Sequence, residues 1–530
     1  MSPAGSPAGR APVPEVLRLG PARLTAGLDR AARLDAAAHH HAHGPMPAYD
    51  AAGLLDLAER IDLRGRGGAG FPFARKARAV LAAAERRGGG SRSSPRGPRG
   101  DRRSPVAVVV NATEGEPASA KDRMLLARAP HLVLDGAALA AAALGAAEIV
   151  VGVAAGGPGE TSMPLAVAER RLPVRTRVVC LPERFVSGEG GALIRGLAGQ
   201  PVIPPAVKGR AAEGGPSGLH GLPTLLSNAE TYAQLAIAAR LGPDAYAVVG
   251  APGEPGTVLL TVSRPSRPPV VVEVPAGTRL GVVLGACGLD PGQGVLVGGY
   301  HGAWLPPHTA AGAPVSRSGL AALGGALGAG AVVALPPDTC PLGEVVRVAN
   351  WLAGESAGQC GPCRLGLPDL VAALRALAAG EGGEALDLAR RTAAGVRGRG
   401  ACAHPDGTSR FVLSALEVFA QDVAAHRRGT GCGRRTRGIL PLPGDAGSVL
   451  PAPAAGRDTA STGLALIVDW SRCDGHGLCA ALAPELVALG AHGYPVTAEG
   501  PIPAHLLRGA RRAVAQCPAL ALRLGPDRSG

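Results

Sequence analysis

The sequence predicts a multidomain α/β protein, and three observations carry that expectation. With 530 residues the chain is longer than one hydrophobic core usually organises. Between 106 and 181 short apolar strands alternate with helical segments, the pattern of a parallel or mixed sheet covered on both faces. The cysteines gather in two distant groups, Cys360, Cys363 and Cys402 in one and Cys473, Cys479 and Cys517 in the other.

Residues 1–48 are rich in Ala, Pro and Gly and are expected to be a flexible segment. Their run of His39, His40, His41 and His43 lacks a paired cysteine or carboxylate and is taken as a polar patch. Helical spacing from Tyr49 to Leu63 leads into a glycine-rich loop, a second helix from about Ala74 to Arg86, and a basic insertion at 88–105 expected to be disordered. The strands VAVVV (106–110), EIVVGV (148–153) and VRTRVVCL (174–181) then alternate with helices over 131–145 and 161–170, completing a domain at 49–251. TVLLTVSRPSRPPVVVEVP gives two strands around a polar turn, and with a short helix and further strands it forms a small α+β domain at 252–337. A helical unit follows at 338–428, then a Pro/Gly-rich linker at 429–462. The last unit, 463–526, is too small to bury much surface, and a metal cluster would staple it.

Composition excludes several classes. An apolar fraction of 46% rules out wholesale disorder. The net charge of +13 invites a nucleic-acid partner, but 2% aromatics leave few rings for base stacking and the arginines are scattered, so none is expected. Gly136 to Gly157 and Gly319 to Pro336 are the most apolar stretches, and glycine or Glu148 interrupts them, so direct membrane insertion is not expected. The N-terminus lacks the pattern of a signal peptide, which predicts the cytoplasm. There, ten cysteines are not a disulfide framework, and Cys180, Cys287, Cys340 and Cys432 are expected as isolated, buried small side chains.

The loop LRGRGGAGFP at 63–72 holds Gly65, Gly67, Gly68 and Gly70. Without Cβ atoms its amides can converge on a phosphate or lie against a flat ring. NATEGEPASAKDR at 111–123 follows a strand directly and gathers amide, carboxylate and lysine groups at the sheet's C-terminal edge. FVSGEGGALIRGL (185–197), GLPTLLSNAET (221–231) and ESAGQCGPCR (355–364) come next. In this order, over about 50–430, the five motifs resemble those of the NADH-oxidising flavoprotein subunit of respiratory complex I and of related bacterial hydrogenases and formate dehydrogenases.

The resemblance implies a Rossmann-like domain for FMN and NADH over 49–251, an SLBB-like β-grasp domain over 252–337 and a helical iron-sulfur domain over 338–428. It also implies site residues. Gly65, Arg66, Gly67, Gly68, Gly70 and Lys76 would line the flavin, with Phe71 stacked near the nucleotide. Asn111, Thr113 and Glu114 would contact the cofactors, and Glu116 would face the nicotinamide at the catalytic position. Phe185, Gly188 and Glu189 match the third motif, and Ser227, Asn228 and Thr231 the fourth. The chain departs from the family at four places: Thr113 stands for an aspartate, Phe185 for a tyrosine, Gly190 for the second acid of a pair with Glu189, and Ala357 for the first cysteine of a CxxCxxC run.

That last change leaves Cys360, Cys363 and Cys402 for a 4Fe-4S cluster, with water or another side chain at the fourth iron. Cys340 is about 20 Å away if 342–355 is one helix at 1.5 Å per residue. The C-terminal unit has Cys473, His476 and Cys479 in a CxxHxxC arrangement and Cys517 before Pro518, and resembles actinobacterial single-cluster ferredoxins. Three thiolates suit 3Fe-4S, whereas ligation by His476 would complete 4Fe-4S.

A hydride brings two electrons together and clusters take one at a time, so a flavin between them is the required converter. The expected order is NADH, FMN, the helical-domain cluster, the fused ferredoxin-like domain, then a redox acceptor the sequence does not name. A thioredoxin-like 2Fe-2S partner subunit is open by the same resemblance. The alternative is an electron-transfer scaffold that has lost the flavin or the helical-domain cluster.

NADPH is a possible second donor, because a carboxylate beside the adenosine ribose repels a 2′-phosphate and Gly190 removes one. A charge pair at about 5 Å is worth roughly 3 kcal/mol at an effective dielectric near 20. Gly190→Glu is therefore expected to raise the NADH to NADPH ratio of kcat/KM; an unchanged ratio removes the role given to this position.

Overall fold

The computed structural model describes residues 14–88, 105–205, 209–381, 383–443 and, in the C-terminal unit, 464–526 apart from 470, 474, 491, 492, 499. Most of the basic insertion, 89–104, and most of the expected linker, 444–463, lie outside the described residues.

The first unit contains β1 (Glu15–Arg18), α1 (Ala36–His43), α2 (Ala51–Arg60), α3 (Phe73–Gly88), β2 (Val106–Ala112), α4 (Lys121–Arg128), α5 (Pro130–Leu144), β3 (Ala146–Ala154), α6 (Gly159–Ala168), β4 (Arg175–Leu181), α7 (Gly190–Leu197), β5 (Thr224–Asn228) and α8 (Ala229–Ala247). Its four strands run parallel in the order β4-β3-β2-β5. The near-continuous apolar run VAVVV makes β2 central, because a parallel strand covered on both faces has no solvent side. From β2 the chain goes to β3 on one flank and later to β5 on the other. Such a reversal opens a crevice at the carboxyl ends of the strands. The register sets Asn111 of β2 directly opposite Asn228 of β5 there.

Helix α5 begins at Pro130 and stops at left-handed Gly145, φ +64°. Its Gly136 lies so close to α8 that a Cβ would sit 1.9 Å from the Tyr232 carbonyl oxygen.

The second unit adds β6 (Gly250–Ala251), β7 (Glu254–Pro255), β8 (Thr257–Arg264), β9 (Arg267–Pro275), α9 (Leu280–Ala286), β10 (Val295–Val297), β11 (Ala303–Leu305), α10 (Pro307–Gly312), α11 (Arg317–Ala322) and β12 (Ala331–Ala334). Its sheet has the order β1-β9-β8-β12-β10-β11. Here the structure corrects the expectation of a flexible segment for residues 14–48, the described part of 1–48. β1 pairs in parallel with β9, and the buried Glu273 carboxylate accepts the backbone N–H groups of Leu24 (2.9 Å) and Thr25 (3.1 Å) and hydroxyls of Thr25 and Thr257. His39 is likewise buried, its Nε2 2.7 Å from Asp135 Oδ2, which also pairs with Arg170 and Arg240. These tertiary partners hold an Ala/Pro/Gly-rich segment that has little tendency to order by itself.

The helical unit comprises α12 (Pro341–Gly354), α13 (Leu367–Ala379), α14 (Ala385–Gly395), α15 (His404–Val418) and α16 (Ala420–Arg427). It extends past the predicted boundary at 428. Glu344 of α12 is fully buried, and its carboxylate accepts the N–H groups of Arg437 (3.1 Å), Gly438 (2.8 Å), Ile439 (3.0 Å) and Leu440 (3.3 Å). The first part of the expected linker is thus packed, because a buried carboxylate satisfies its backbone.

The C-terminal unit pairs β13 (Leu464–Val468) with β16 (Leu522–Pro526) and β14 (Val487–Leu489) with β15 (Pro495–Thr497), beside α17 (Leu478–Leu482) and α18 (Leu507–Ala515). Its core is eight buried residues, five of them larger than alanine. No single helix among the described residues is long and apolar enough to cross a membrane.

Glu344→Ala removes the carboxylate that pairs with Arg347 and accepts a row of backbone N–H groups. Removing one side of a buried charged pair costs about 3 to 5 kcal/mol. Thermal melts of the full chain are expected to show that loss, with early proteolysis in 429–443.

Candidate functional site

At the carboxyl ends of β2 and β5 the chain builds a polar lattice. Asn228 ends β5 and caps α8, its Oδ1 accepting the Glu230 N–H at 3.0 Å, while its Nδ2 donates to Asp122 Oδ2 at 2.6 Å. Asn111 Nδ2 donates to the Gly188 carbonyl at 2.9 Å, and its Oδ1 accepts the Thr113 hydroxyl at 2.8 Å. A Cβ on Gly188 would lie 3.5 Å from Thr113 Oγ1. Thr231, fully buried, accepts the Arg66 N–H at 2.9 Å and so anchors the glycine loop to α8.

The loop forms one wall of a cavity of about 600 Å³. Gly65, Arg66, Gly68 and Gly70 line it together with Lys121, Glu230 and Gly325 to Gly328. Gly68 and Gly70 take φ +103° and +59°, which side chains other than glycine rarely adopt. Gly67 presses on the lattice instead, its Cβ position 3.3 Å from Asn228 Cβ. A flat or phosphorylated group therefore meets bare backbone on one side and fixed polar groups on the other.

Lys121 Nζ lies 2.8 Å from Asp122 and 3.1 Å from Glu230, and all three are buried. Burial opposes the ammonium charge, but the carboxylates of Asp122, Glu230 and Glu114 outweigh it and hold its pKa above the usual lysine value. Lys76 Nζ donates to the Leu226 carbonyl at 2.6 Å, and burial pulls its pKa down to about 8. Phe71 is 44% exposed at the end of the loop, with Arg75 and Lys76 beside its ring, and does not line the cavity.

Three expected contacts have structural partners. Glu114 accepts from the Asp122 and Arg123 N–H groups at 3.0 and 2.9 Å and caps α4. Glu189 caps α7 through the Ala192 N–H at 2.8 Å. Glu116 is buried, accepting the Tyr300 N–H at 2.7 Å and the Ala118 N–H at 3.2 Å; burial pushes its pKa up to about 7 despite those donors. Ser227 is buried at the end of β5.

Phe185 connects this site to the cysteines. Its N–H donates to Glu355 Oε2 at 2.8 Å, just before the cysteine motif, and its ring packs edge-on against His301, Trp351 and His404 at 4.6 to 5.4 Å. The hydroxyl lost from the family's tyrosine is thereby replaced by an apolar, aromatic contact. Beyond it, Cys360 is hydrogen-bonded to Cys363, and that bond, burial and nearby Cys402 push the Cys363 thiol well above the usual range. The three cysteines converge and fit a cluster held by three thiolates. Cys340 sits at the other end of α12, as its sequence distance implied.

In the C-terminal unit burial and the neighbouring Cys473 and Cys517 raise the Cys479 thiol, while His476 is exposed. That trio fits three-thiolate ligation. A second cavity, about 970 Å³, separates the two cysteine groups: Cys360 and Arg364 line one side, Gly477, Ala480 and Leu489 the other, and Arg364 Nη2 donates across to the Glu485 carbonyl at 3.0 Å. Sequence reasoning did not assign Lys121, Asp122 or Glu230, although the quoted motifs contained them. It could not assign Gly325 to Gly328, Trp351 or His301, which stand outside any motif and reach the site only by folding.

A crevice of this kind beside two cysteine-bearing units defines an electron-transfer protein with nucleotide-type and iron-sulfur cofactors. Comparison with known proteins gives its family. Residues 58–237 match the Nuo51 FMN-binding domain, 344–426 the iron-sulfur binding region of NADH-ubiquinone oxidoreductase-F, and 466–524 the 4Fe-4S single cluster domain. The chain is 30% identical over 397 residues to the second NADH-quinone oxidoreductase F protein of Rhizobium meliloti, covering 70% of this chain and 88% of that one. It is 26% identical to the NADP-reducing hydrogenase component HndC of Solidesulfovibrio fructosivorans, covering 81% and 83%. An NAD+-reducing [NiFe]-hydrogenase structure superposes with a TM-score of 0.65 at 27% identity, over 78% of this chain and 67% of that one. The chain belongs to the NADH-quinone oxidoreductase F family, with a single-cluster ferredoxin domain at its C-terminus.

Gly67→Val drives its branched side chain into Asn228. Purified variant is expected to lose FMN while retaining iron; undiminished flavin would remove the loop from the site.

Proposed function

We propose that this protein oxidises NADH and passes the electrons singly through its helical-unit cluster to its own C-terminal ferredoxin domain. The observation that carries the reading is the Phe185–Glu355 tie, which joins the third motif of the nucleotide site to the segment bearing Cys360. The cavity between Cys360 and α17 extends the same line. Bound FMN supplies acceptance of a hydride and release of single electrons.

The chain's own residues bind and position. The Gly65 to Gly70 loop admits a flat ring, and the Asn111, Thr113 and Asn228 lattice fixes its polar edge. By the family resemblance Glu116 would act on the nicotinamide and Phe71, exposed at the end of the loop outside the cavity, would cover the nucleotide. The aromatic packing of Phe185 on Trp351, His301 and His404 ties the third motif to the helical unit. We read 49–251 as Rossmann-like and 252–337 as an SLBB-like β-grasp domain, which adds Gly325 to Gly328 to the cavity wall. Three thiolates in each group favour 3Fe-4S in the C-terminal domain, with His476 outside its ligand set, and a 4Fe-4S cluster with one non-thiolate ligand in the helical unit. Ten free thiols agree with the cytoplasm. The final acceptor is a separate redox protein, and a thioredoxin-like partner subunit is compatible with the family.

Anaerobically purified protein is expected to contain FMN and iron and to reduce ferricyanide on addition of NADH. Colourless protein without this activity would overturn the reading in favour of a scaffold.

Glu116 ionises as pH rises through about 7. Its negative charge then stabilises the cationic nicotinamide that forms as hydride leaves. kcat/KM for NADH is expected to fall below pH 7, and Glu116→Gln to abolish that inflection in a pH-rate profile. A wild-type profile flat through neutrality would contradict the assignment.

A further inference from the structure

We propose that Cys340, His426 and Cys432 hold a zinc ion at the end of the helical unit remote from the cluster cysteines. One ligand atom from each lies within 4.8 Å of the others, and among the described residues no other group of three such side chains is so close. Cys340 Sγ is 3.4 Å from His426 Nε2. A tetrahedral zinc with bonds of about 2.3 Å to sulfur and about 2.0 Å to nitrogen sets its ligand atoms roughly 3.5 Å apart.

The histidine is also oriented as a ligand. Its Nδ1–H donates to the Ala378 carbonyl at 2.8 Å, an oxygen that can only accept, so Nε2 presents a lone pair toward the sulfur. The Gly343 N–H donates to Cys340 Sγ at 3.3 Å. Cys340 and His426 are buried and Cys432 is half-buried, which shields the site while leaving a route for entry.

The charge balance suits burial. Two thiols release two protons on binding, and a dication with two thiolates and a neutral imidazole carries no net charge. Sulfur and imidazole ligands select zinc over magnesium or calcium. An iron-sulfur cluster fits less well, because its thiolates bind different irons and must stand farther apart.

Cys340 begins α12, His426 lies near the end of α16, and Cys432 is on the stretch of chain that leaves it. The ion clamps the start of the helical unit to its end and fixes the segment that leads to the ferredoxin domain. Three protein ligands leave a fourth position.

The test is metal analysis of the full chain, purified anaerobically from zinc-supplemented medium, as wild type, Cys432→Ser and Cys360→Ser. Wild type is expected to carry one zinc per chain besides its iron. Cys432→Ser should lose the zinc and keep the iron, whereas Cys360→Ser should keep the zinc and lose only the iron of the helical-unit cluster, retaining that of the C-terminal domain. If Cys432→Ser is insoluble, zinc-edge X-ray absorption on the wild type decides the matter: two sulfur and one nitrogen scatterers support the site. Wild type without zinc, zinc retained in Cys432→Ser, or a Cys340–Cys432 disulfide found by mass without reduction overturns it. Absence of FMN or of NADH oxidation would count against the proposed function and leave this result standing.

Discussion

A cation kept charged inside the protein organises the nucleotide site. Lys121 is 2% exposed, and taking an ammonium out of water is costly unless carboxylates surround it. Asp122 and Glu230 do so, and each is fixed in turn, Asp122 by the Asn228 amide and Glu230 at the start of α8. Through Asn228 the network reaches β5, through Glu114 the turn after β2, and through Thr231 in the same turn of α8 the glycine loop. The crevice at the strand ends is therefore a preorganised polar surface. Loss of Lys121 would leave Asp122 and Glu230 buried without their cation, so the site depends on that one ammonium group.

The same economy explains two buried glutamates elsewhere. Glu273 satisfies the backbone of residues 23–25, and Glu344 that of residues 437–440. Both segments have compositions that by themselves give no reason to order. Each carboxylate offers several acceptor sites to consecutive N–H groups, and charged hydrogen bonds of this kind are stronger than neutral ones. The chain before the first helix and the chain after the last helix of the helical unit are thus built into the fold.

Between the nucleotide site and the cysteines, packing replaces lost polarity. Phe185, Trp351, His301 and His404 form a tight aromatic cluster, and burial lowers the pKa of both histidines, so the region stays neutral.

The sequence by itself determined the α/β character, the order of the motifs, and the cysteines of the two cluster groups, because each depends on local pattern: period-2 and period-3.6 hydrophobicity, glycine where a Cβ cannot fit, cysteine at fixed short spacing. It also placed Asn111 directly after a strand, but gave no strand ending at Asn228 opposite it. Only the tertiary structure decided that register, the burial of Lys121 with Glu230, the ordering of 14–48 and 434–442, and the place of Gly325 to Gly328 in the cavity wall. It alone brought Cys340 to His426 and Cys432, where the sequence showed isolated cysteines and an ordinary histidine. The contacts concerned link residues as far as 250 positions apart, and no one-dimensional pattern records which distant N–H group a buried carboxylate will meet. Side-chain charge and hydrogen bonding select among such contacts only once hydrophobic burial has brought the segments into reach.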